Sequence, residues 1–163
     1  MPTDDRRASD GVNRSRMTRP LFEIAIHARP ATAAEEIERP IHGRPARILT
    51  VGPSEMHLPF PCSFEDLCER FERIPRFFVE PDGSFVWTGT DDGSSWQLEG
   101  NLYDRQGRVI WISVKGYCPE IRWREFMAAL AEGDDAEFVV QLLRDAVYLS
   151  HFEFHRWQWG RDC

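Results

Sequence analysis

The residues best equipped for chemistry stand near the C-terminus, in YLSHFEFHRWQWGRDC, residues 148–163. His151 and His155 are four apart, with Glu153 between them. On a helix the two imidazoles would lie one turn apart on one face, the spacing at which histidines share a zinc ion. A third ligand would have to come from His27, His42, His57 or a carboxylate elsewhere. On a strand they would stand about 13 Å apart, at roughly 3.3 Å per residue. That is too far for one ion, though either could exchange a proton with Glu153. The choice turns on where the preceding helix stops. Continuing a helical wheel from Leu142 puts Glu153 in the middle of the buried stripe, where an unpaired carboxylate is costly. A helix ending near Ser150 leaves SHFEFHRWQW as a period-two strand, with His151, Glu153, His155, Trp157 and Trp159 on one face and Phe152 and Phe154 on the other. The strand is the expectation, and with it neither a bound metal nor a cofactor.

Two other groups could act. Cys118 precedes Pro119 at a strand end, where a following helix N-terminus could lower a thiol pKa and His151 or His155 could serve as base; no spacing demands it. Tyr103 and Trp111 fall on one face of a sheet and, left uncovered, would make with Trp157 an aromatic patch of the kind that marks a partner or ligand site. The alternative is that residues 21–46 or the tail cover them. Asp91-Asp92-Gly93-Ser94-Ser95 has neither the ligand series of an EF-hand nor the lysine of a phosphate loop, and reads as a turn.

These residues must be held by the elements between them. LFEIAI (21–26) and RILTV (47–51) are β-prone, and the stretch 27–46, broken by Pro30, Pro40 and Pro45, reads as a surface connection with a helical turn near 33–38. Ser63 caps a helix carrying Phe64, Leu67, Cys68, Phe71 and Ile74, stopped by Pro75. Cys68, on that apolar face, reads as a small buried hydrophobe. Pro81-Asp82-Gly83 turns a hairpin that pairs Val79 with Phe85 and Phe77 with Trp87. Arg105-Gln106-Gly107 turns a second, pairing Leu102 with Ile110, Gly100 with Ile112 and Leu98 with Val114. That register puts Tyr103, Val109, Trp111, Glu99, Gln97 and Lys115 on the opposite face. Pro119 starts a helix with Trp123, Phe126, Met127 and Leu130, and Asp134 with Glu137 starts another with Phe138, Val139, Leu142, Ala146 and Leu149. The order β-α-β-β-β-β-α-α, with a possible C-terminal strand, gives an α+β domain over 21–163. It has an antiparallel sheet of about four to six strands and helices on one face. The order resembles that of TATA-binding-protein-like and helix-grip folds, a resemblance of element order without a shared motif.

Composition narrows the function classes. The net charge is −7, and since the first twenty residues hold five arginines against three aspartates, the remainder carries −9. Such a body repels phosphates, against nucleic-acid binding. The first twenty residues have almost nothing apolar and read as a disordered tail without a secretory signal. No apolar run approaches the roughly 20 residues of a membrane helix. The four cysteines are neither a disulfide framework nor a CxxC pair, consistent with a cytoplasmic location. The expectation is a non-enzymatic module that holds a protein or a small apolar ligand on an aromatic sheet face or in a sheet–helix crevice. The alternative is a small metal-dependent or acid/base hydrolase centred on His151, Glu153 and His155. Oligomeric state is open.

Overall fold

Among the described residues the first strand in sequence, β1 (Phe22–Ala28), is the middle one in space. The computed structural model describes residues 21–30, 35–131, 133 and 136–160. In it β1 pairs antiparallel with β7 (Arg108–Tyr117) on one side and β8 (Phe138–Leu142) on the other. Its sequence FEIAIHA suits that place: Phe22, Ile24 and Ile26 are buried on one face, Ala25 and His27 on the other, as a strand covered on both sides requires. From β7 the sheet runs outward through β6 (Ser94–Arg105) and β5 (Ser84–Asp91) to β4 (Phe77–Val79). From β8 it runs through β9 (Val147–Ser150) and β3 (Arg44–Leu49) to β2 (Glu36–Ile41).

The three α-helices of the described residues cover one face. Phe71 of α1 (Phe64–Glu72) stacks on Phe126 of α2 (Glu120–Leu130) at 5.4 Å. Trp123 of α2 meets both Phe22 at 5.7 Å and Phe154 of α3 (His151–Trp159) at 5.1 Å. The class is therefore α+β with one antiparallel sheet, but the sheet has nine strands rather than four to six. Among the described residues no helix is long and apolar enough to cross a membrane.

Several elements follow their local signals. Ser63 Oγ accepts from the Asp66 N–H at 3.0 Å to start α1, and the first hairpin pairs Phe77 with Trp87 and Val79 with Phe85, with Gly83 at φ +89°. The second hairpin slides by two residues. Gln106 and Gly107, both at positive φ, form a two-residue turn between Arg105 and Arg108, and a bulge follows at Tyr103/Asp104. Leu102 consequently faces Ile112 and Gly100 faces Val114. The bulge also turns Val109 into the core, away from the outer face expected for it.

Three expectations are corrected. Residues 27–46 are not a mere connection: β2 and β3 form a hairpin about His42-Gly43, at φ +49° and +75°. A two-residue turn makes its flanking pair, Ile41 and Arg44, hydrogen-bonded, so the alternate pair Pro40–Pro45 points its backbone away from the ladder. Neither proline removes a hydrogen bond, which is why a hairpin tolerates both. Residues 138–149 are two strands rather than a helix. FVVQL is a β-branched run buried on both faces beside β1, and Ala146, at φ +53°, turns the chain between them. Finally, HFEFHRWQW is helical. Ser150 Oγ accepts from the Glu153 N–H at 3.1 Å, so S-x-x-E is here the start of α3. Asp134 and the first twenty residues lie outside the described set.

Candidate functional site

Because α3 begins at His151, that residue and His155 do sit one turn apart. One ring nitrogen of each is nevertheless already engaged, and in different directions. His151 Nδ1 lies 3.1 Å from the Phe138 backbone nitrogen and 3.3 Å from its carbonyl oxygen, so the β8 backbone occupies this nitrogen in either tautomer. Burial lowers the pKa of this ring. His155 Nε2 meets Glu120 Oε1 of α2 at 2.7 Å, and Glu120 also accepts from Arg124 at 2.8 Å.

Glu153 points to a third neighbour. It is 3% exposed and accepts from Arg156 Nε at 2.9 Å and from the backbone N–H of Arg47, in β3, at 2.8 Å. The Arg156 hydrogen bonds hold its carboxyl below the ordinary glutamate range, so it is a weak base. Arg156 Nη2 in turn donates to the Pro45 carbonyl at 2.9 Å. The pair thus satisfies the backbone groups that β3 turns away from β2, a use of α3 that is structural. His151 addresses β8, Glu153 addresses β3 and His155 addresses α2. Among the described residues no group of three or more His, Cys, Asp or Glu is arranged to hold a metal ion.

Cys118 is fully buried and burial pushes its thiol far up, away from the thiolate a nucleophile needs. Its carbonyl accepts from Trp159 Nε1 at 3.2 Å.

The aromatic face is a filled stack rather than a bare patch. Tyr103 and Trp111 are cross-strand partners with ring centroids 3.8 Å apart and planes 8° from parallel. His27 continues the stack beyond Trp111 at 6.4 Å, and His57, from the segment between β3 and α1, stands edge-on to both. The neighbours of Trp111 thus come both from residues 21–46, through His27, and from the segment between β3 and α1, through His57. His27, 3% exposed, makes a 3.1 Å bond from Nε2 to Gln141 Oε1, and burial lowers its pKa to about 4. Tyr103, at 38% exposure, presents the open end of the row.

A separate recess lies where β1 begins and β7 and β8 end, beneath the C-terminal half of α3. It has a volume of about 700 Å³. Phe22, Trp96, Leu142 and Gly116 of the sheet, Leu21 and Tyr117 at strand ends, and Trp157 of α3 line it. Its rim is charged but internally matched. Lys115 lies 3.3 Å from Glu99, Arg144 is 3.6 Å from Glu23, and His42 is 3.0 Å from Asp145. Arg44 lies over the Trp157 ring, 5.4 Å from its centroid. Of the candidate site residues singled out from sequence, Trp157 and His42 line this recess. The others are supplied by segments far apart in the chain, and no local pattern links Leu21 to Tyr117 or Leu142. Comparison of the chain with known protein families, curated proteins and solved structures returns no match.

Proposed function

We propose that the protein is a non-enzymatic binding module and that the crevice between the sheet end and α3 holds a small, mainly apolar ligand. One observation carries this reading: a recess of about 700 Å³ walled by large apolar side chains from both layers, within the range of roughly 300–1,000 Å³ that small-molecule sites occupy. Apolar side chains left lining a recess are surface that burial against a ligand would stabilise. The competing hydrolase reading lacks a converging set of groups, since the three α3 side chains leave the helix toward three different neighbours.

Titration of the isotopically labelled protein with indane, a small apolar probe, tests the proposal. Saturable amide shifts are expected at 21–23, 115–117 and 157–158. A titration that moves none of these amides, or moves the residues around Tyr103 and Trp111 instead, would refute it.

A further inference from the structure

The recess does not end at its rim. A trough of about 390 Å³ lies on the outer face of the sheet, and Glu23, Glu99 and Lys115 line both concavities. Lys115 stands opposite Glu99 of β6 and Glu23 of β1, so the three make one exposed row across adjacent strands. Along each strand the lining passes from one concavity to the other in chain order. β1 gives Phe22 to the recess, Glu23 to both and Ile24 to the trough, and β7 gives Tyr117, then Lys115, then Ser113. The two are therefore one groove crossed by a charged row, and from Tyr117 to Ser113 it spans about 13 Å at roughly 3.3 Å per residue. Its halves differ in chemistry: large apolar side chains wall the recess, whereas the trough offers the hydroxyls of Ser84 and Ser113 beside the row.

From this we infer that the ligand is an elongated amphiphile, its apolar tail in the recess and an uncharged, hydroxyl-bearing head in the trough beyond the row. The inference rests on the recess being the binding site and adds what the ligand carries outside it. A hydroxyl both donates and accepts, and the trough has a use for each. Ser113 Oγ accepts from the Asn101 N–H at 3.1 Å, which leaves its own O–H to donate. Ser84 Oγ donates to Asp82 Oδ1 at 2.6 Å, which leaves its lone pairs to accept. The row itself is neutral, since Lys115 lies 3.3 Å from Glu99 and Arg144 lies 3.6 Å from Glu23. It favours neither sign of charge, whereas a polyol can donate to its carboxylates and accept from its ammonium group.

Octyl glucoside, used below its micelle concentration, tests this by amide shifts of the whole protein. The comparisons are indane, which lacks the head, and octanoate, which carries the same kind of tail on a charged head. Octyl glucoside is expected to move the recess amides at 21–23, 116–117 and 157–158 and the trough amides at 84, 100 and 113 along one saturation curve, and indane to move only the first set. Octanoate is expected to bind more weakly than octyl glucoside. In Ser84→Leu, which removes one trough hydroxyl and fills its space, the affinity for octyl glucoside should fall about five-fold, the equivalent of about 1 kcal/mol for one hydrogen bond, while that for indane is unchanged. Octyl glucoside shifts confined to the recess, or an affinity that Ser84→Leu does not alter, overturn the head in the trough while leaving the recess standing. Trough shifts without recess shifts overturn the joined groove. Octanoate that binds as tightly and moves the same trough amides overturns the uncharged head. Failure of indane and octyl glucoside alike to move the recess amides overturns the recess reading itself.

Discussion

Replacing Glu153 should loosen one part of the sheet and leave the rest intact. The β2–β3 hairpin joins β9 through the single pair Leu49–Tyr148. Its remaining hold on the body comes largely from α3, where Glu153 takes the Arg47 N–H and Arg156 reaches the Pro45 carbonyl. In Glu153→Ala the Arg47 N–H loses a charged acceptor, a loss of about 2 kcal/mol. The Arg156 and Arg47 guanidinium groups, 52% and 55% exposed, recover much of theirs from water, so they add only about 1 kcal/mol. The total of about 3 kcal/mol corresponds to a fall in Tm of about 6–12 °C for a chain of this size. Glu153→Gln keeps an acceptor for the backbone and should lose only about 1 kcal/mol. Hydrogen exchange reads the location: amides of 36–49 should lose protection in the alanine variant, while those of 94–117 keep theirs. The same carboxylate shapes the acid limb of stability. A carboxyl held below its unfolded pKa contributes stability that is present above that value and lost as pH falls through the folded one, so Glu153→Gln should flatten this limb. Uniform loss of protection, or none at 36–49, would refute the account of α3 as the hairpin's clamp.

Other positions give independent checks. His27 has a folded pKa of about 4 against an ordinary 6.5, so its contribution to stability is complete above pH 6.5 and falls by about 3 kcal/mol as pH drops to 4; an NMR titration that finds its ring titrating near 6.5 would contradict its burial beside Gln141 and His57. Gly100→Ala should destabilise by about 3 kcal/mol through overpacking, because a Cβ there would sit 1.9 Å from the Ser113 carbonyl oxygen and 2.6 Å from the Phe85 ring; thermal melts that superimpose on the wild type would reject that packing. Cys118 should resist thiol reagents in the native protein and react only on unfolding, and rapid native-state labelling at that position would mean that the β7–α2 junction is open.

What was legible in the sequence was what short-range chemistry decides. Ser63 before an apolar stripe, Pro75 after it and the Pro81-Asp82-Gly83 turn specify their local structure by capping, ring closure and positive φ, and each appears as expected. The misreadings arose where partners distant in sequence decide. Phe138, Val139, Leu142 and Leu149 fit a helical spacing as well as two strands, and only the vacant side of β1 selects strands. The C-terminal aromatics fit a strand by alternation, and an unpaired Glu153 on a buried helix face is costly. Its partners, Arg156 one turn on and the Arg47 backbone more than a hundred residues earlier, remove that objection. Ser150 and Glu153 did carry a local capping signal, and it was the better guide. The crevice left no trace in any short segment, because a recess is a property of how separate elements meet.

The central place of β1 has a consequence for how the molecule is made. Ile24 pairs with Val114 and Leu142, 90 and 118 positions further along the chain. During synthesis β4 to β7 can assemble from neighbouring residues, whereas β1, apolar on both faces, has been waiting since the beginning and gains its second neighbour only after residue 142 emerges. Contacts of such separation slow folding, and an unpaired apolar strand is exposed to aggregation meanwhile. A nascent chain arrested before Phe138 would carry β1 as an open edge, so the yield of native protein should depend on how quickly β8, Phe138–Leu142, follows.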